Sequence, residues 1–259
     1  MKKIGSGIYL AVILMFLYMP ILTLAVFSFN KGKTMAVWSG FSFRWYREMI
    51  ENEQITEAIK NTFSIALVAA VISTIIGTFA CLGINNMRKR TQNAILGLNN
   101  IPLLNADIVI GISLMMTFLV FKIDLSWITV LLSHITFCIP YVILSVLPKI
   151  KQLSSSTYEA ALDLGASPGY AFYKVVMPEI WPGIISGFLL SFTMSVDDFV
   201  ITHFTRGAGI NTISTLIYSQ VKVGIRPTLF ALSTIIFLVV LAVLITSNVL
   251  SEIKEGPKK

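Results

Sequence analysis

The sequence predicts an all-α, polytopic membrane protein with about six transmembrane helices. Composition and pattern together carry that expectation. Hydrophobic residues make up 55% of the 259 residues and charged ones only 13%, too few charges to cover a globular surface. Apolar stretches of the length needed to cross roughly 30 Å of hydrocarbon recur along the chain. The formal net charge of +7 would suggest nucleic acid in a soluble chain. Here basic residues flanking membrane spans account for it, so the expected surroundings are a lipid bilayer and no nucleic acid.

Spans are expected near 8–29, 61–84, 95–121, 127–147, 183–203 and 228–250. The first resembles a signal peptide only superficially. Its apolar run exceeds the usual h-region of about 7–15 residues, and no A-x-A site closes it. Between the first two spans, Trp38, Phe41, Phe43, Trp45 and Tyr46 read as an interfacial aromatic anchor on a short amphipathic helix. Pro102 lies in the first third of the third span, where a bend or break is expected. Cys81 and Cys138 fall inside apolar segments and read as packing residues rather than a disulfide or metal pair. No metal site is expected.

An even number of spans places both termini on one side. "MKK", "RKR" at 88–90 and "KEGPKK" share that side, which the positive-inside rule makes cytoplasmic. Lys31, Lys33, Arg44, Arg47, Arg206, Lys222 and Arg226 fall on the other face, so the terminal clusters decide the orientation. The whole chain, 1–259, is then a single membrane domain with a cytoplasmic loop at 148–182.

That loop contains "YEAALDLGASPGYAFYKVVMP", polar and helix-capable between two apolar runs. Ser156 and Glu159 have capping-box spacing. Gly165 suits the left-handed position that ends a helix, and Ser167-Pro168 suits a restart. Pro178 and Pro182 are expected to stop the second helix before the next span. A solvated connector would be the plain reading, but Ala160, Ala161 and Gly165 leave one surface nearly bare, which lets another protein approach closely.

"EAALDLG", nine residues, then "VVMP" resembles the EAA motif of bacterial ABC-importer permeases, through Glu159, Ala160, Ala161, Gly165 and Pro178. Val175 and Met177 stand where that family has Ile and Leu. The resemblance implies the type I importer (MetI-like) fold, with the loop as a coupling helix docked on a separate ATPase. It also implies a dimer of ATPase subunits, a second homologous permease and an extracytoplasmic binding protein as partners. Consistent with this, no G-x-x-x-x-G-K-[ST] loop is present to cradle nucleotide phosphates. No cofactor is therefore expected on this chain, with ATP and magnesium held by the partner ATPase. "LYMPILTLAVFSFN", "FSFRWY", "IPLLNADIVIGISL", "SHITFCIPYVILSV" and "SFTMSVDDFVITHFTRG" are similar to C-type permease subunits of spermidine/putrescine importers. That similarity implies a polyamine substrate and a bacterial cytoplasmic-membrane location. An importer of another small solute is the alternative.

The intramembrane acids point separately toward a cation. Asp107 lies midway along the third span, and Asp197 with Asp198 in the outer half of the fifth. Ionised carboxylates at such depth cost a few kcal/mol and face a cavity or a partner. Carboxylates would neutralise the ends of a polyamine, and faces such as Phe192 and Phe199 would hold its cationic chain. Adjacent helical residues point about 100° apart, so at most one of Asp197 and Asp198 faces a path squarely. Alternatively, Asp198 caps a restarted half-helix or bonds Thr193 and Ser195. His134 reads as an interhelical hydrogen-bond former, and His203 carries little signal. An intramembrane aspartyl enzyme built on Asp107 and Asp197 is the reading from a different class. The Gly-rich and Tyr-containing motifs it needs are missing around both residues, so no catalytic residue is assigned.

Overall fold

The computed structural model describes residues 2–33, 37–153, 155–224, 226–238 and 241. By packing, the chain divides into two units: 1–56 with 217–259, and 57–216.

The first unit holds α1 (Lys2–Phe27), α2 (Arg44–Glu51) and α12 (Pro227–Leu238). The apolar stretch Tyr9–Phe27 of α1 is not buried in its own chain. A helix that is apolar all round and uncovered needs a nonaqueous neighbour, which lipid or another protein provides. Beyond it, Asn30 organises the turn: its Oδ1 accepts from Ser39 N–H (2.8 Å) and its Nδ2 donates to Val37 O (2.9 Å). The expected short helix is present, but Trp45 is not a surface anchor. Its indole is buried and donates through Nε1 to Asn30 O at 2.6 Å, because α2 turns its apolar face inward. Phe41 and Phe43 are exposed, in a ring cluster with Phe29 and Tyr46. The sixth expected span is described only as far as α12; its remainder and the basic tail lie outside the described residues.

The second unit is built on α3 (Glu53–Asn85, entering from the first unit), α4 (Lys89–Leu104), α5 (Asp107–Val120) and α6 (Trp127–Gln152). After the connector helices come α9 (Met177–Asp197), α10 (Val200–Thr205) and α11 (Ile213–Val223), which runs back into the first unit. Among the described residues, Tyr9–Phe27, α3, α6 and the helical run Pro168–Asp197 are long and apolar enough to cross a bilayer. The third expected span is not one continuous helix: α4 and α5 are bent by 106° at a two-residue break. The break falls at Asn105 and Ala106, both extended, one turn beyond Pro102, which is absorbed inside α4. The fifth span is also displaced from expectation. It starts earlier and ends at Asp197, with α10 as a separate turn-and-a-half.

The main seam of this unit joins α6 to α9. Gly183, Gly187, Ser191 and Ser195, four residues apart, are all buried on one face of α9. Their small side chains let the helices approach backbone to backbone. A Cβ on Gly187 would lie 3.3 Å from Val142 Cα and 3.5 Å from Ser145 Cβ. Ser191 Oγ donates to Cys138 O, and Cys138 Sγ in turn to Ser191 O, each at 3.5 Å. Cys81 packs in the neighbouring cluster of Ile143, Val146, Leu147 and Ile180. Both cysteines are free, buried thiols, as the sequence suggests. Gly187→Ala is expected to overpack this seam by about 1–2 kcal/mol, read as a lower melting temperature of the protein in detergent. An unchanged melting temperature would mean the helices separate without cost.

The far ends of these helices are clamped. Thr129 Oγ1 accepts from Ser126 N–H (2.7 Å) and donates to Thr205 O (2.8 Å), tying the start of α6 to the end of α10. Asn61 Nδ2 donates to Asn211 O (3.1 Å), and Thr62 Oγ1 accepts from Ile213 N–H (2.8 Å). Gly207 has no room for any side chain, since a Cβ would sit 2.1 Å from Leu125 O.

Candidate functional site

Two features carry chemistry, and the first is the connector between α6 and α9. Here α7 (Ser155–Asp163) ends as the spacing predicts. Gly165 has φ +86°, and its N–H donates to Leu162 O (2.9 Å) while Ala166 N–H donates to Ala161 O (3.1 Å). These two bonds are the Schellman closure, which requires a left-handed residue at Gly165. Ser167 then caps α8 (Pro168–Ala171), its Oγ accepting from Tyr170 N–H, with Pro168 in the first turn. The expected start of α7 differs: Ser155 and Ser156 are already helical, and the cap side chains lie outside the described residues.

The prolines do not stop the second helix, contrary to expectation. α8 continues through a π-turn (Phe172–Val176) into α9, so the helical run extends unbroken from Pro168 to Asp197. Met177 N–H bonds Phe172 O, five residues back. The widened turn gives Pro178 room where an α-helical carbonyl four residues back would crowd its ring. Glu159, Ala160, Ala161 and Gly165 are therefore gathered at the end of α7, whereas Pro178 sits beyond the π-turn on the long helix. α7 lies against that turn across a cavity of about 390 Å³ lined by Tyr158, Phe172, Val176, Asn86 and Glu179, among others. Glu159 and Ala160 are exposed and Ala161 half-buried. Beside them Leu164 is 89% exposed, with Tyr170 and Tyr173 also open.

The second feature is a pair of helix breaks. Asp107 is the first residue of α5, just past the α4–α5 break, where its charge complements the helix dipole. Asp197 is the last residue of α9, and Asp198, extended, opens α10. α5 packs on α10 through Gly111, where a Cβ would meet Phe204 Cδ2 at 3.1 Å and Ile201 Cα at 3.4 Å. Ile110 and Leu114 of α5 join Tyr141 around the buried cluster of Phe137, Cys138 and Ile201. Both breaks thus lie within a turn of one packed cluster.

The three carboxylates have different surroundings. Asp198 caps α10: Oδ1 accepts from Ile201 N–H (3.2 Å), and Oδ2 from Thr202 N–H and Thr202 Oγ1 (both 2.8 Å). Its side chain is 7% exposed and lies 3.5 Å from His134 Nε2. The cap alternative therefore describes Asp198, but its hydroxyl partner is Thr202. Thr193 bonds Leu189 O instead, and Ser195 bonds His134. Asp107 and Asp197 are exposed, and no hydrogen bond or ion pair to either carboxylate occurs among the described residues. Phe192 stacks on Phe188, also near Phe63, and Phe199 stacks on His203. Sequence reasoning missed the His134–Asp198 contact and the small-residue seam. The four-residue spacing of Gly183, Gly187, Ser191 and Ser195 was the available signal for the seam.

Comparison with known proteins places this arrangement. Residues 73–253 match the family of binding-protein-dependent transport system inner membrane components. The chain is 35% identical to the spermidine/putrescine transport system permease protein PotC of Haemophilus influenzae, over 94% of this chain and 95% of that protein. It is 38% identical to the putrescine transport system permease protein PotI of Escherichia coli K12, over 85% and 81% of the two chains. A bacterial ABC transporter involved in the import of the acidic polysaccharide alginate shares the fold at TM-score 0.74. That match has 16% identity and covers 96% of this chain and 95% of the other. The family match over 73–253 and the identity to these permeases over most of the chain make it a member of the binding-protein-dependent transport system inner membrane component family.

Proposed function

We propose that the chain is one permease of an ATP-driven importer and forms half of a translocation path for the polyamines spermidine and putrescine. A second, homologous permease supplies the other half. A dimer of ATPase subunits holds ATP and magnesium, and an extracytoplasmic polyamine-binding protein delivers the substrate. Residues 1–259 act as one permease domain in the bacterial cytoplasmic membrane, with both termini and the 148–182 connector on the cytoplasmic side. Glu159, Ala160, Ala161, Gly165 and Pro178 couple to the ATPase, with Leu164, Tyr170 and Tyr173 as apolar contacts. Asp107 and Asp197 meet the ammonium groups, while Asp198 serves the path by holding its wall.

The carrying observation is the pairing of two helix breaks with two exposed carboxylates. Interrupted spans persist in a membrane only where their freed backbone is buried in protein or lines a water-filled cavity. Unpaired acids beside such breaks suit a substrate that is a string of ammonium groups. The relatives named for spermidine and putrescine support the same substrate class. Family membership makes the chain a transport subunit rather than an enzyme.

Purification in mild detergent is expected to yield a complex with a second permease and ATPase subunits. Uptake of radiolabelled polyamine by reconstituted vesicles is expected to require ATP and the binding protein. A stable monomer that takes up polyamine without ATP would overturn the proposal.

A further inference from the structure

We infer that His134 is a positioning residue for the proposed path: it staples the two halves of the broken fifth span and thereby sets where Asp197 points. His134 is 1% exposed on α6. Its Nδ1 lies 2.6 Å from Ser195 Oγ, in the last turn of α9, and its Nε2 lies 2.9 Å from Thr202 Oγ1 in α10. One imidazole therefore bridges both sides of the break through its two ring nitrogens. Ser195 closes the small-residue seam, so the staple begins where close helix packing ends.

Proton bookkeeping fixes the tautomer. Thr202 Oγ1 has one proton and gives it to the Asp198 carboxylate, which can only accept. Toward His134 the same oxygen must accept, so the imidazole proton is on Nε2. With a single ring proton, Nδ1 is a lone pair that accepts from Ser195 Oγ–H, and this tautomer uses every polar atom of the ring. The chain His134 → Thr202 → Asp198, with Ile201 N–H and Thr202 N–H also donating to Asp198, locks the first turn of α10. Asp197 precedes Asp198 directly, so freedom at Asp198 becomes freedom in the direction of the Asp197 carboxylate.

The inference rests on Asp197 lining the path, and the test separates the two ideas. In the assembled complex, Asp197→Cys would be labelled with a cationic methanethiosulfonate reagent, with the parent chain and its buried Cys81 and Cys138 as background. Adding His134→Leu removes both staple bonds and is expected to change the labelling rate about fivefold or more. His134→Gln carries an amide oxygen and N–H that reproduce the acceptor and donor, and is expected to stay within about twofold of the parent rate. Uptake measured without the cysteine should follow the same order, with Gln rescuing what Leu loses. Nitrogen NMR of His134 should report the Nε2–H tautomer.

Equal labelling in all three backgrounds, or a Nδ1–H tautomer, would overturn the inference. If His134→Leu fails to assemble, His134→Gln decides: assembly with parental labelling supports the staple, and failure of both variants makes His134 a packing residue only. Wild-type uptake by Asp197→Asn, by contrast, would remove the path role of Asp197 whatever the labelling shows.

Discussion

Asp197→Asn is expected to slow polyamine uptake about tenfold while the complex assembles in normal yield, whereas Asp198→Asn is expected to lower the yield of assembled complex. The two residues are neighbours in sequence but not in environment. Asp197 is exposed, and its amide variant keeps size and polarity while removing the charge that meets an ammonium group. Asp198 is surrounded by donors: Ile201 N–H, Thr202 N–H and Thr202 Oγ1. An asparagine there must turn its own NH₂ toward one of those donors, leaving a buried group unsatisfied at about 1–3 kcal/mol. Complex yield and melting temperature should therefore fall in Asp198→Asn. A path effect should also weigh more on spermidine than on putrescine, because more ammonium groups need partners in passing. Radiolabelled uptake of both substrates, normalised to assembled complex, measures this. Wild-type rates in Asp197→Asn would leave the polyamine assignment resting on relatives alone.

Gly165→Val is expected to uncouple ATP hydrolysis from substrate delivery. The left-handed backbone at Gly165 strains any residue with a Cβ by about 1–2 kcal/mol, and β-branched valine adapts least well. Beyond its chain neighbours no atom lies within 4 Å of the Cβ position, so the strain at the Cβ comes from the local backbone. The Schellman bonds from Gly165 and Ala166 loosen, and Leu164 no longer projects from a fixed helix end. A penalty of that size shifts the population of the docking-competent turn about five- to thirtyfold. Substrate-stimulated ATPase activity should fall while membrane insertion persists. Normal stimulation in a correctly inserted variant would show that docking does not need this turn.

The connector was legible because its determinants are local. Gly165, Ser167 and Pro168 each act on backbone within five positions, so residue type and spacing suffice to place a helix end and a restart. The spans were legible for another reason: hydropathy sums over about 20 residues, and no partner is needed to make a segment prefer lipid. Local rules failed where two competed. Pro178 and Pro182 argued for a helix end, but the π-turn at Phe172–Val176 reset the hydrogen-bond register ahead of them. Pro102 argued for a bend at its own position, but the chain gave way at Asn105 and Ala106.

By itself, then, the sequence determined that this protein is helical, lies in a membrane, carries a capped connector with the EAA spacing and places acids within its apolar runs. Only the tertiary structure decided what each acid does. Asp197 and Asp198 are indistinguishable in composition and depth, and their roles part because α9 stops between them and α6 presents His134 to one side. The partners that fix the imidazole stand 61 and 68 positions along the chain. No periodicity or spacing reports a contact at that separation, because it exists only once the glycine and serine seam has drawn α6 and α9 together.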